Sequence, residues 1–202
     1  MAGIGFEATS AAARSTPAAR VPLRFAYLDG PPPGFAGGFG ESTCHACHFE
    51  VEPNTAPGRV TVSGVPETFA PGESYPLTIT LSRPGMALGG FQLTARFEED
   101  GAQAGTLAPG EDEAERVSVS ESGGVLYAYQ RAAGAIPVSA DTARWTVLWT
   151  APADVPASAA ATGPGNAAAV LFHVAANAAD GDDSADGDYI YTVELRAVAA
   201  RP

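Results

Sequence analysis

The chain has 202 residues, a formal net charge of -12, and 11 basic side chains, every one of them arginine. Such acidity argues against nucleic acid or an anionic membrane surface as a partner, and suits solubility or a basic protein partner. A hydrophobic share of 46% can supply one core, and 23 Gly with 17 Pro favour a turn-rich, all-β build.

Residues 1–30 are rich in Ala, carry Pro17 and Pro22, and hold no sustained period. They read as a leader or flexible arm. Met1 to Arg24 contain no apolar run of the roughly 7–15 residues that marks an export signal. No stretch of the chain reaches the roughly 18 apolar residues of a membrane-spanning helix.

Residues 31–56 form an irregular segment opened by Pro31-Pro32-Pro33-Gly34 and punctuated by Gly37, Gly38 and Gly40. It delivers the chain to Cys44-His45-Ala46-Cys47-His48, which holds both cysteines and two of the three histidines. The pattern C-x-x-C-H is the attachment sequence of a c-type haem. Each thiol adds to one vinyl group of the porphyrin, and the adjacent imidazole reaches the iron. Cys44 and Cys47 are therefore expected to anchor a covalent haem c, with His48 as the proximal iron ligand. Three other readings of the two cysteines compete. A zinc site needs four ligands, and only His45 and the distant His173 are left to complete it. A dithiol redox motif wants a helix N-terminus in a βαβ setting, which this Gly/Pro-rich stretch does not offer. A disulfide across two residues would close a trivial loop. Phe35, Phe39, Phe49 and Val51 bracket the motif and are candidates to cover an apolar cofactor face.

From residue 57 to 198 the texture changes to short runs of period two. Val60 and Val62 alternate with polar neighbours, as do Leu77, Ile79 and Leu81. Phe91, Leu93, Ala95 and Phe97 follow, then Val117 and Val119, and Val125 to Tyr129. Trp145, Val147 and Trp149 share one face of a run, and Val170, Phe172 and Val174 share another. Tyr189, Tyr191, Val193 and Leu195 close the series. Such runs, separated by Pro-Gly and Gly-Gly, read as seven to nine short strands of an antiparallel sandwich. The two tryptophans are expected in its core.

Between the last two runs lies the acidic stretch Asp180 to Asp188. Carboxylate oxygens at this density suit Ca²⁺, with Asp180, Asp182, Asp186 and Asp188 as candidate ligands; a solvated hairpin loop is the alternative.

The order of these pieces resembles a known family. Pro-Pro-Pro-Gly precedes Gly40-Glu41-Ser42-Thr43-Cys44-His45-Ala46-Cys47-His48. Then come Val60 to Gly64, Ala-Pro-Gly-Glu-Ser-Tyr at Ala70 to Tyr75, and Gly89 to Ala95. Trp145 to Pro152, Ala175 to Gly181 and Gly187 to Thr192 complete the string. Over residues 28–198 the chain is similar to bacterial "choice-of-anchor V" domain proteins, relatives of the reelin N-terminal (reeler) domain. That resemblance implies an immunoglobulin-like β-sandwich on an exported or cell-surface protein. The C-x-x-C-H carries over onto Cys44, Cys47 and His48.

The expected function is that of a monohaem c-type cytochrome, an electron carrier rather than an enzyme. It would exchange one electron with redox protein partners in the periplasm or at the cell surface, within a larger membrane-associated complex if one exists. His173 is the favoured sixth ligand to the iron, and Met86, in a Gly-flanked loop, is the runner-up. The alternative is a cell-surface adhesion or carbohydrate-binding sandwich whose cysteine segment is structural, held by zinc or a disulfide.

Overall fold

The computed structural model describes residues 27–155 and 168–200. The reading of residues 1–30 as a leader falls almost wholly outside them. Ten strands run among the described residues: β1 (Arg59–Ser63), β2 (Thr68–Phe69), β3 (Ser74–Ser82), β4 (Leu88–Phe97), β5 (Thr106–Pro109), β6 (Val117–Ser122), β7 (Val125–Gln130), β8 (Thr142–Thr150), β9 (Ala169–Ala179) and β10 (Tyr189–Ala199). They form a four-stranded sheet, β1-β3-β8-β5, and a six-stranded sheet, β2-β10-β9-β4-β7-β6. The architecture is the all-β sandwich that the period-two runs predict. One pairing departs from the antiparallel pattern: β2 lies parallel to β10, with Val198 opposite Thr68 and Ala199 opposite Phe69.

The alternation puts one side of each strand into the space between the sheets. Leu77, Ile79 and Leu81 of β3 and Val147 of β8 meet Phe91, Leu93, Phe172 and Val174 there, all buried. Trp145 and Trp149 span the gap. Their rings lie 4.7 Å from Phe91 and 4.8 Å from Phe172, centroid to centroid. Each indole N–H also finds a backbone carbonyl, Gly134 at 2.8 Å and Ala104 at 2.9 Å. Truncating either to alanine is worth about 3–5 kcal/mol.

The six-stranded sheet is also covered on its other side. Gln92, Thr94, His173 and Ala175 belong to the outward face of β4 and β9, yet all four are buried. The cover is the segment before β1. Phe35 N–H donates to Gln92 Oε1 at 2.6 Å, and Gln92 Nε2 donates to Pro32 O at 3.0 Å. Further along, Asn54 bonds Thr192 of β10 through both its amide atoms, at 2.8 and 2.9 Å. The irregular segment is thus a third layer, and it lays the cysteine motif on the sheet.

Candidate functional site

A small hairpin sets up the motif. Gly37 N–H donates to Ser42 O at 3.0 Å and Glu41 N–H to Gly38 O at 2.9 Å. Its tip, Gly37 to Gly40, keeps positive φ throughout; the three glycines adopt it without steric cost, and Phe39 joins them at φ 49°. Glu41 anchors it: one carboxylate oxygen accepts from Arg96 Nη1 and from Tyr127 Oη, both at 2.6 Å. Burial, and then the bond to Glu41, push the Tyr127 phenol up to about 12. After the hairpin, Thr43 caps a short 3₁₀ turn, Cys44–Ala46, its hydroxyl accepting from His45 N at 3.2 Å. Cys44 O then accepts from the N–H groups of Cys47 and His48, at 3.2 and 3.1 Å.

This turn brings Cys44, Cys47 and His48 to the wall of one cavity of about 370 Å³. That size falls in the usual range for small-molecule sites, about 300–1,000 Å³. The incoming chain supplies Leu28, Pro32 and Phe35 to the wall, β4 supplies Leu88 and Phe91, and the end of β9 supplies Ala179. The two cysteines are free thiols, Cys44 partly covered and Cys47 exposed. Burial pushes the Cys44 thiol up to about 12, so it is protonated at neutral pH.

His48 is held by a residue from the far end of the chain. Its Nδ1 lies 2.7 Å from Asp188 Oδ2, and Asp188 is almost wholly buried. Asn177 Nδ2 donates to the same oxygen at 3.2 Å, and Asp180 N–H donates to the other at 3.3 Å. The Asn177 amide nitrogen also sits 3.4 Å from both ring nitrogens of His48, so it rests against the ring and selects neither. Asn177 Oδ1 is buried beside it with no hydrogen-bond partner.

The acidic stretch is the β9–β10 hairpin loop. Asp180 and Asp182 use side-chain oxygens to accept from the backbone N–H groups of Asp182 and Ser184, at 3.1 and 2.8 Å. The bonds from Ser184 hold the Asp182 carboxyl below its usual value. Asp186 is exposed, and Asp188 faces His48. The four candidate calcium ligands are therefore not brought together. Among the described residues no three His, Cys, Asp or Glu side chains converge in a way that could hold a metal ion.

Neither candidate for a sixth iron ligand reaches the cavity wall. His173 lies further along β9, buried under Gly38 and Phe39, with Nε2 2.9 Å from Glu194 Oε2. Met86 packs into the core between the sheets. Of the bracketing aromatics, Phe35 lines the cavity, Phe39 meets His173 edge-on with the Arg96 guanidinium over its ring, and Phe49 is exposed. His45 Nε2 is buried without a partner. Asn177 and Gln92 carry weight that their sequence did not announce. The available signal was a lone amide in a largely apolar strand, in each case.

Comparison with known proteins gives likeness of architecture. The chain is similar to the human F-spondin reeler domain at 20% identity and a TM-score of 0.44, covering 74% of this chain and 92% of that one. A second structure, the Reelin-N domain of F-spondin, gives 22% identity and a TM-score of 0.45 over 78% of this chain and 96% of the other. A cohesin module from a Clostridium perfringens family 33 glycoside hydrolase gives 10% identity and 0.47, over 73% and 100%. These likenesses are of β-sandwich build alone and say nothing of activity. No protein-family model matches the chain, and no curated protein does.

The residues at the cavity fit a covalently held porphyrin. Two thiols three positions apart stand on the same wall as an imidazole whose Nδ1 lies 2.7 Å from the Asp188 carboxylate. The remaining wall is largely apolar, as a macrocycle requires.

Proposed function

We propose that this protein is a monohaem c-type electron carrier that works outside the cytoplasm. One observation carries the reading: both thiols and the imidazole of the C-x-x-C-H motif line a single apolar cavity. Cys44 and Cys47 would hold the porphyrin through two thioethers, and His48 would ligate its iron. When bound, the haem supplies a centre that takes up and releases one electron. The chain's own residues do the rest. Asp188 orients His48, and Leu28, Phe35 and Phe91 keep water from an apolar face. Gln92 and Glu41 hold the segment against the sheet. The acidic surface suits a basic redox partner.

The test is production of the chain alongside c-haem maturation machinery. The reduced protein is expected to show the sharp α-band of haem c, and its mass to rise by about 0.6 kDa, the porphyrin with its iron. Colourless protein of unmodified mass sinks the proposal.

A second reading, a cell-surface adhesion or carbohydrate-binding module, has one observation in its favour. The cysteine segment is tied to the sheet entirely by protein contacts, through Gln92, Glu41 and Asn54. Metal analysis separates the two: iron at one per chain supports the carrier, whereas zinc, or no metal, supports the module.

A further inference from the structure

The chain carries 23 acidic side chains against 11 arginines, yet its arginines are not all spent on carboxylates. Arg96, Arg116, Arg131 and Arg196 each pair with an acid. Arg59, Arg83 and Arg144 pair with none among the described residues, and all three gather at one end of the four-stranded sheet. Register places Arg59, Ser82 and Thr142 in one row across β1, β3 and β8, and Thr61, Thr80 and Arg144 in the next outward-facing row. Arg59 and Arg144 are exposed. Arg83 follows Ser82, holds its guanidinium over the Tyr189 ring, and shares a cleft with Arg59. The one carboxylate lining that cleft, Asp141, already accepts from Gly85 N–H at 2.7 Å. The outward positions of β1, β3 and β8 are mostly Ser and Thr, with no Asp, Glu or aromatic residue. This face lies on the side of the sandwich opposite the N-terminal layer.

Unpaired charge of one sign, gathered where the rest of the surface carries the other, steers and orients a complementary partner. A guanidinium takes a carboxylate through two parallel hydrogen bonds, and the hydroxyls between can donate to the same group or to a peptide carbonyl. We propose that this face docks a short, extended acidic segment of a partner protein. Three features favour a peptide over a polyanionic polymer. A uniformly charged chain runs past the three arginines onto a surface that repels it, whereas a short acidic stretch ends with them. No aromatic ring on the face offers a stacking platform for a base or a sugar. β1 is an edge of its sheet, so its outer backbone groups are open to a strand laid alongside. Such a partner is distinct from the basic one that the acidic surface suits, and nothing in the docking needs a bound haem.

The experiment titrates the full chain into a short fluorescein-labelled peptide of alternating Glu and Thr and follows fluorescence anisotropy, with labelled heparin in parallel. The peptide is expected to bind at low ionic strength and to weaken as salt is added. Arg59→Gln and Arg144→Gln are each expected to weaken it about threefold, and the two together about tenfold. Arg196→Gln removes an equal charge from an exposed position on the other sheet, where Glu98 already pairs it, and is expected to leave binding unchanged. A peptide that does not bind, or an equal loss in Arg196→Gln, overturns the inference. Heparin binding that the Arg59 and Arg144 variants abolish, with the peptide silent, would make the face a polysaccharide site and overturn it as well. So would sedimentation showing that the same two variants dissolve a dimer, which would assign the face to a second copy of the chain.

Discussion

Gly38 lies flat against the imidazole of His173. A methyl group on Gly38 would sit 2.3 Å from His173 Nε2, and the glycine φ of +81° already excludes most other residues. The contact closes the hairpin over β9. Gly38→Ala is expected to cost about 2 kcal/mol, from the left-handed backbone and the displaced ring together. Chemical denaturation measures it. An unchanged midpoint would mean that the hairpin does not rest on β9.

Gln92 performs the same service at the start of the segment. It is fully buried and bonds Phe35 N–H and Pro32 O with opposite ends of its amide. Gln92→Leu keeps the bulk and strands both backbone groups. The expected loss is about 1–3 kcal/mol, with faster amide exchange at Phe35 and earlier proteolytic cleavage before Cys44. Unaltered exchange at Phe35 would refute this role.

The Tyr127 phenol predicts a dependence on alkaline pH. Its folded value is raised from 10.0 to about 12, first by burial and then by its bond to Glu41. The folded state therefore keeps a proton that the unfolded chain has already lost. The stability this contributes is complete below pH 10 and falls away as pH rises towards 12. Tyr127→Phe is expected to begin less stable, lacking the bond to Glu41, and to show a flatter decline across that window. Denaturation curves taken at several alkaline pH values test the slope, and parallel declines would rule the assignment out.

Ala179 offers a way to fill the cavity without touching the motif. It ends β9 opposite Leu88, only partly buried, and lines the cavity wall. Ala179→Trp is expected to change folding stability by no more than about 0.5 kcal/mol, as partly exposed substitutions commonly do, while removing most covalent haem uptake. Pigment per chain and a thermal melt give the answer together. Full pigmentation in a well-folded variant would show that the porphyrin lies elsewhere.

Much of the sandwich was legible beforehand because it rests on local periodicity. Leu77, Ile79 and Leu81 alternate with threonine and serine, and a strand with one wet face needs nothing more. β9 was harder. Its Val-Leu-Phe-His-Val-Ala-Ala run is nearly continuous, since the segment over Gln92 and His173 buries its second face as well. β2 and β5 escaped notice because two and four residues carry too little pattern to register.

The chemistry divides along the same line. Cys44, Cys47 and His48 declare themselves as five consecutive letters, a spacing that needs no fold to be recognised. The sequence by itself also determined the acidic surface, the turn-rich β build and the two tryptophans at the centre. Only the tertiary structure decided that Asp188 leaves its acidic neighbours to meet His48, and that His173 is spent beneath Gly38. Both outcomes depend on which strands lie side by side. β9 and β10 pair so that Tyr189 faces Ala178, which brings Asp188 beside Asn177, and the N-terminal layer then drops His48 onto them. Periodicity acts between near neighbours in the chain, whereas these contacts join residues that only the packing of layers makes adjacent.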